Sequence, residues 1–272
     1  MTIKHLFSDM DGTLLNSQGR LSDRNAEIIR DSKLPFTLVS ARAPREMQGA
    51  IDKLGLRTEQ IAFNGGLIFK PNGTDYEVID QNPISLQTVW QILPLVRTHF
   101  PHVSVSFYDL QHWYTERVDR LIRFEEKLVQ QSAAKISYAD YFADPSRVVF
   151  KIMLITFDPD ELAHLKTFMN GVGLQGVSIQ QTGEAYLEIT SQQAKKSRGI
   201  RYVLHQTHLE KAETAAFGDS YNDLPMFAEV GRAIVMNDAL PAIKAQGDFI
   251  TKSNDEDGVG YAIKHFINQG RR

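Results

Sequence analysis

Apolar runs and helical spacings alternate along the first third of the chain. Ile3 to Phe7 reads as a buried strand, Ser22 as a helix N-cap with Ala26, Ile28 and Ile29 behind it, and Pro35 to Val39 as a second strand. Pro44 then stands where a helix begins, Met47, Ile51 and Leu54 recur at helical spacing, and Gly55 ends the run. Ile61 to Phe63 gives a third short strand. Strands alternating with helices in this way predict a parallel sheet.

The pattern then changes. Leu67 to Phe69 and Tyr76 to Ile79 flank Pro71-Asn72-Gly73, which predicts a hairpin. Leu86 to Phe100 and Asp119 to Gln131 read as helices, Val103 to Tyr108 and His112 to Tyr114 as strands, and Val148 to Phe157 as a strong strand. Asp158-Pro159-Asp160-Glu161 has the spacing of a capping box, with Leu162, Leu165 and Met169 on one face behind it. Val177 to Thr182 and Ala185 to Thr190 predict a second hairpin. The alternating rhythm returns with a helix at Lys196 to His205, a strand at Thr214 to Phe217, a helix at Asp223 to Val230 and a strand at Ala233 to Met236. It continues through Leu240 to Gln246 and Asp248 to Thr251. The expected organisation is a Rossmann-like α/β core made of residues 1–82 and 190–272, interrupted by an α+β module over 83–189.

Composition narrows the function classes. Thirty Lys plus Arg against 33 Asp plus Glu leave no electrostatic footprint for nucleic acid. The absence of Cys excludes disulfides, thiolate zinc sites and cysteine nucleophiles. No apolar stretch is long enough for a membrane span, and the start of the chain runs into Asp9 without an apolar leader, so a cytoplasmic protein is expected. Neither a nucleotide P-loop, a dinucleotide glycine fingerprint nor a zinc-protease motif is present.

Chemistry gathers where the strands end. They run into Asp9, Ser40, Asn64 and Asp219, and ligands of open α/β sheets bind outside the carboxyl ends of the strands. Asp9 and Asp11, two apart in an extended segment, share a side, and Gly12 lets the chain turn. Two neighbouring carboxylates require a cation or a shared proton. Asp219 and Asp223 form a second acidic pair after an apolar strand, and Asp9 with Asp219 suits a hard cation such as Mg²⁺. A metal beside a free carboxylate suggests phosphoryl transfer, with Ser40, the amide of Ala41, Lys196 and Asn222 as donors to phosphate. Lys195 is the other candidate for the lysine, and the register from Glu188 favours Lys196. His205 and His208 read as a helix-surface pair, Asn72-Gly73-Thr74 as a cytoplasmic turn, and Phe107, Tyr108, His112, Trp113 and Tyr114 as either core of the module or substrate contacts.

These motifs resemble the haloacid dehalogenase-like phosphatases, in their Cof-type branch with a large α+β (type IIB) cap. Asp9-Met10-Asp11-Gly12-Thr13 matches the first family motif, Ser40 the second, Lys196 the third and Gly218-Asp219-Ser220-Tyr221-Asn222-Asp223 the fourth. Asn64-Gly65-Gly66 and Asn254-Asp255-Glu256-Asp257-Gly258-Val259 also look like this branch. The resemblance covers nearly the whole chain and implies a Mg²⁺-dependent phosphatase for small phosphorylated metabolites. Sugar phosphates lead, followed by cofactors such as flavin mononucleotide or pyridoxal phosphate. It implies that Asp9 attacks phosphorus and binds Mg²⁺, that Asp11 is general acid and base and lends its backbone carbonyl to the metal, and that Asp219 is the third metal ligand. Asp223 then supports the metal indirectly, Lys196 offsets negative charge, and Ser40 with the amides of Met10 and Ala41 holds phosphate, joined by Asn222. The cap is expected to close over the site and select the leaving group. Relatives usually read Thr-Gly-Arg where this chain has Ser40-Ala41-Arg42, and the extra methyl bears on the local geometry. A phosphomutase and a non-catalytic regulatory binding protein are the alternatives, and the sequence sets no oligomeric state.

Overall fold

The computed structural model describes residues 2–73 and 75–267. Thr74, in the Asn72-Gly73-Thr74 turn, lies outside them. The chain divides into two compact units, one of Met1–Arg42, Met47–Gln81 and Lys195–Arg272, the other of Ala43–Glu46 and Asn82–Ala194.

The first unit is built on five parallel strands in the order Phe249–Ile250, Arg232–Val235, Thr214–Gly218, His5–Ser8, Phe36–Leu38. Leu6, Phe7, Leu38, Ala216 and Phe217 are fully buried, as expected for strands covered on both faces. The helix Asp23–Asp31 starts at Ser22, whose hydroxyl accepts the amide of Asn25 at 2.9 Å. Ile200, Val203, Met226 and Ile243 supply the helical side of a core that includes Phe7, Val39 and Ala216. His5–Ser8 is paired with Phe36–Leu38 on one side and Thr214–Gly218 on the other. It is therefore the switch point of the sheet, and a ligand crevice is expected beyond its carboxyl end.

The third predicted strand differs from expectation. Gln60–Ala62 touches the parallel sheet through a single bridge, Val39 to Ile61, and otherwise heads an antiparallel sheet with Leu67–Asn72 and Asp75–Gln81. The predicted helix over Asp223–Val230 is a 3₁₀ turn, Tyr221–Asp223, followed by the short helix Leu224–Phe227.

The second unit is a six-stranded sheet in the order Val177–Gln181, Tyr186–Ser191, Lys151–Ile155, Ser104–Tyr108, Trp113–Thr115, Ala134–Lys135. On one face Phe107, Ile152, Leu154, Leu187 and Ile189 join Val89, Ile92 and Val96 of the helix Leu86–His99 and Leu162, Leu165 and Met169 of the helix Pro159–Gly171. The period of two along the strands puts polar and ionisable residues on the other face. Lys151 lies 3.6 Å from Glu188 and its ammonium 4.6 Å from the Tyr108 ring centre, and Tyr186 donates to Glu125 at 2.7 Å. Asp158 caps the helix Pro159–Gly171 by accepting the amides of Asp160 and Glu161. The box is not reciprocal, because Glu161 accepts from Thr156 at 2.6 Å.

Candidate active site

Asp9 leaves the strand His5–Ser8 with its amide bonded to the carbonyl of Phe217 at 3.0 Å, so the next strand fixes its place. Its carboxylate is 5% exposed and accepts from Lys196 Nζ at 2.5 Å. The same ammonium donates to Asp223 Oδ1 at 2.7 Å. Lys196 opens the helix Lys196–Thr207 and is 1% exposed, whereas its neighbour Lys195 is exposed at the N-cap. Burial pushes the Asp9 carboxyl well above the usual carboxylate range. Lys196 opposes that shift, while Asp223 and Asp219 add to it. Burial alone would depress the Lys196 ammonium, but Asp223 and Asp9 outweigh it and hold its pKa high.

Asp223 is fully buried beneath the strand end. Its second oxygen accepts the amides of Asp219 and Ser220, each at 3.0 Å. Gly218 makes that fold-back possible, since a Cβ there would stand 2.7 Å from Asp223. Asp219 accepts from Thr13 at 2.7 Å, and its carboxyl is pushed up to about 6, chiefly by burial. Gly12 approaches so closely that a Cβ would meet Asp219 Oδ2 at 2.5 Å, and its φ of 76° favours glycine on its own account.

One oxygen of each of Asp9, Asp219 and Asp223 lies within 4.8 Å of the others. Lys196 pairs with two of the three carboxylates and leaves Asp219 without an ion pair among the described residues, so the cluster is short of positive charge, and its all-oxygen donor set fits a hard divalent cation. Asp223 is the least free to ligate, because Lys196 and two amides already engage both its oxygens.

Ser40 is buried. Its hydroxyl oxygen accepts the amide of Arg42 at 3.1 Å and its hydrogen donates to nothing among the described residues. Ala41 is absent from the residues with left-handed φ, so its methyl strains no backbone there. Met10 is buried and its carbonyl ties the following turn by accepting the amides of Thr13, Leu14 and Leu15 at 3.3, 3.0 and 2.8 Å. Asp11 is exposed and gripped by Arg42, whose Nε and terminal nitrogen donate to its two oxygens at 2.8 and 2.6 Å. The sequence leaves Arg42 to contact substrate or to pair with an acid, and the structure pairs it with Asp11.

The segment Asn254–Glu256 buttresses the first motif: Asn254 donates to the Leu15 carbonyl at 2.9 Å and Asp255 accepts the Ser17 amide at 2.8 Å. His205 and His208 are exposed and belong to no acidic or histidine cluster among the described residues. Of the aromatic candidates in the second unit, Phe107 and Tyr114 pack with Tyr141 inside it. Tyr108 and Trp113 are buried and stacked at 5.8 Å on the polar face, and the indole Nε1 of Trp113 has no hydrogen-bond partner among the described residues. Lys151, Glu188, Glu125 and Tyr186 on the same face carried no sequence signal beyond strand and helix periodicity.

The sequence pattern of haloacid dehalogenase-like hydrolases matches residues 6–263. The chain belongs to this family. Among similar proteins, the phosphatase YwpJ of Bacillus subtilis is 26% identical over 288 residues, covering 97% of this chain and all of that one. A 5-amino-6-(5-phospho-D-ribitylamino)uracil phosphatase of the same organism is 25% identical over 291 residues, covering 98% and 99%. A haloacid dehalogenase-like hydrolase from Bacteroides thetaiotaomicron superposes with a TM-score of 0.86 at 28% identity, covering 97% and 99%. A subclass IIB sugar phosphatase, 20% identical with a TM-score of 0.78 over 97% and 98% of the two chains, shares the fold. This family member has a parallel-sheet α/β core and additional sheets. No helix among the described residues is long and apolar enough to cross a membrane.

Proposed function

We propose that this hydrolase is a Mg²⁺-dependent phosphatase of small phosphomonoesters, working through a phosphate ester of Asp9. The observation that carries the reading is the buried chain Asp9–Lys196–Asp223 with Asp219 beside it. A structural protein has no use for three converging carboxylates that a single lysine leaves undercompensated. The Bacillus relatives named as phosphatases support the same reading.

In the proposed reaction an oxygen of Asp9 attacks phosphorus and the bond to the leaving oxygen breaks. Asp11 delivers a proton to that oxygen, then takes one from the water that attacks the aspartyl phosphate, so inorganic phosphate leaves and Asp9 is restored. Both oxygens of Asp11 rest on Arg42, so one must leave the guanidinium before it reaches the leaving group. Asp9, Asp219 and the backbone carbonyl of Asp11 would hold Mg²⁺, which supplies charge neutralisation at the phosphoryl group. Lys196 opposes the upward shift of the Asp9 carboxyl and holds it in place, and Asp223 orients Lys196 while its amide contacts fix the Asp219 loop. Ser40, the amides of Met10 and Ala41, and Asn222 are proposed to hold phosphate oxygens.

Sugar and polyol phosphates are the proposed substrates, with flavin mononucleotide and pyridoxal phosphate next. The relative named for a phosphoribityl compound acts on a polyol phosphate, which supports this substrate class. The test is phosphate release from sugar phosphates, nucleotides, flavin mononucleotide and pyridoxal phosphate, with and without Mg²⁺. Release that needs Mg²⁺ and disappears in Asp9→Asn supports the reading. Isomerisation of a sugar phosphate that needs a bisphosphate activator and releases little free phosphate indicates a mutase, and no turnover with retained ligand binding indicates a regulatory protein.

A further inference from the structure

Four strand ends carry polar residues, and three of them, Asp9, Ser40 and Asp219, have a task in the proposed reaction. The fourth, Asn64, has none. It sits in a turn where Phe63, Asn64 and Gly65 have φ of 50°, 56° and 92°, three left-handed residues in succession. Phe63 is bulky and fully buried, and such a residue adopts this conformation only under constraint. The constraint is visible. The amides of Phe63 and Asn64 donate to the carbonyls of Arg42 at 3.0 Å and Ser40 at 2.8 Å, and Arg198 donates to the Gly65 carbonyl at 3.0 Å. A Cβ on Gly65 would meet the Lys195 carbonyl at 2.2 Å. The turn is therefore clamped between the segments that carry Ser40 and Lys196. Strain held in this way collects at functional sites.

The side chain shows what the strain places there. Asn64 Oδ1 accepts from Asn222 Nδ2 at 3.4 Å, and Asn222 Oδ1 accepts from Ser220 at 2.5 Å. Asn222 is thus held at both ends of its carboxamide, with one N–H left over. The side-chain Nδ2 of Asn64 donates to nothing among the described residues.

We propose that Asn64 is a positioning residue for phosphate binding: it fixes the Asn222 carboxamide so that the remaining Asn222 N–H meets a phosphoryl oxygen. This rests on the phosphatase reading, and it separates two roles for Asn64. Glycine supports the left-handed turn without a side chain, so Asn64→Gly removes the carboxamide and spares the backbone. The experiment measures Tm, the inhibition or dissociation constant of inorganic phosphate in Mg²⁺, and kcat and KM, for native protein, Asn64→Gly, Asn222→Ala and the double variant. The expected result is an unchanged Tm for Asn64→Gly, phosphate affinity and KM weakened about tenfold, as for loss of a charge-assisted hydrogen bond, and a smaller change in kcat. Asn64→Gly should add nothing in the Asn222→Ala background, because coupled residues are not additive. Native phosphate affinity in Asn64→Gly, with or without a lowered Tm, would leave Asn64 a purely conformational residue and overturn the proposal, as would full additivity with Asn222→Ala. If the native protein releases no phosphate from any ester, the phosphatase reading falls, while the inorganic phosphate constant still decides the role of Asn64.

Discussion

Replacing Lys196 with Met tests the electrostatic frame of the site. Met fills much of the same volume but removes the only ammonium between Asp9 and Asp223, which it meets at 2.5 and 2.7 Å. Lys196 is 1% exposed and Asp9 5%, and Asp223 is fully buried, so no water replaces the lost partner. Removing one member of a buried pair costs about 3–5 kcal/mol, a large part of the 5–15 kcal/mol that usually holds a domain together. The sign with pH follows from linkage. Without Lys196, Asp9 rises further above its unfolded value, so the variant keeps more stability at low pH and loses it as pH rises, by about 1.4 kcal/mol per unit per group. Urea unfolding without added metal at pH 5 and pH 8 reads both effects. Circular dichroism is the suitable probe, since the two tryptophans, Trp90 and Trp113, lie in the second unit. A loss under about 1 kcal/mol at pH 8, or one independent of pH, would show that Lys196 does not hold this cluster together.

Three other perturbations read different parts of the structure. Gly12→Ala puts a Cβ 2.5 Å from Asp219 Oδ2 at a φ of 76°, so phosphate release should fall about a hundredfold with Mg²⁺ affinity, and unchanged Mg²⁺ titrations would contradict the close approach. Asp219 titrates near 6, so protons compete with metal below that pH. The rise in Tm on adding Mg²⁺ should be larger at pH 7.5 than at pH 5, and an equal rise at both would exclude Asp219 as a ligand. His5 is buried, with its Nε2 on Thr37 at 3.0 Å, and burial lowers its pKa from 6.5 to about 4. Its stabilising contribution is complete above pH 6.5 and should be lost by about 3 kcal/mol as pH falls to 4. His5→Gln should flatten that part of the stability–pH curve, and an unaltered curve would place the acid sensitivity elsewhere.

The strand ends were legible because an apolar run stopping at a polar residue marks the edge of a buried parallel strand. Asp9, Ser40 and Asp219 all end such runs. Lys196 was separable from Lys195 by its register from Glu188, and the structure buries Lys196 and leaves Lys195 exposed at the N-cap. What could not be read depends on geometry absent from the one-dimensional pattern. The left-handed φ of Phe63 and Asn64 leaves no compositional trace, and neither does the fork of Arg42 on Asp11, which joins residues 31 apart. Gln60–Ala62 pairs antiparallel with Leu67–Phe69 across the left-handed turn at Phe63–Gly65, where the alternation of strands and helices pointed to the parallel sheet, and the strand Ala134–Lys135 and helix Tyr138–Phe142 are too short to show a period. The polar face of the second unit's sheet stayed hidden because Lys151 and Glu188 look like ordinary strand residues until the register of Lys151–Ile155 against Tyr186–Ser191 brings them together.

The account stands on covalent catalysis by Asp9, and the most direct test is to quench the reaction in acid during turnover of a radiolabelled phosphate ester in Mg²⁺ and map the label by peptide. The account predicts an acid-stable, hydroxylamine-sensitive label on the peptide that contains Asp9 and none in Asp9→Asn. Turnover without label on that peptide, or label that persists in Asp9→Asn, would contradict it.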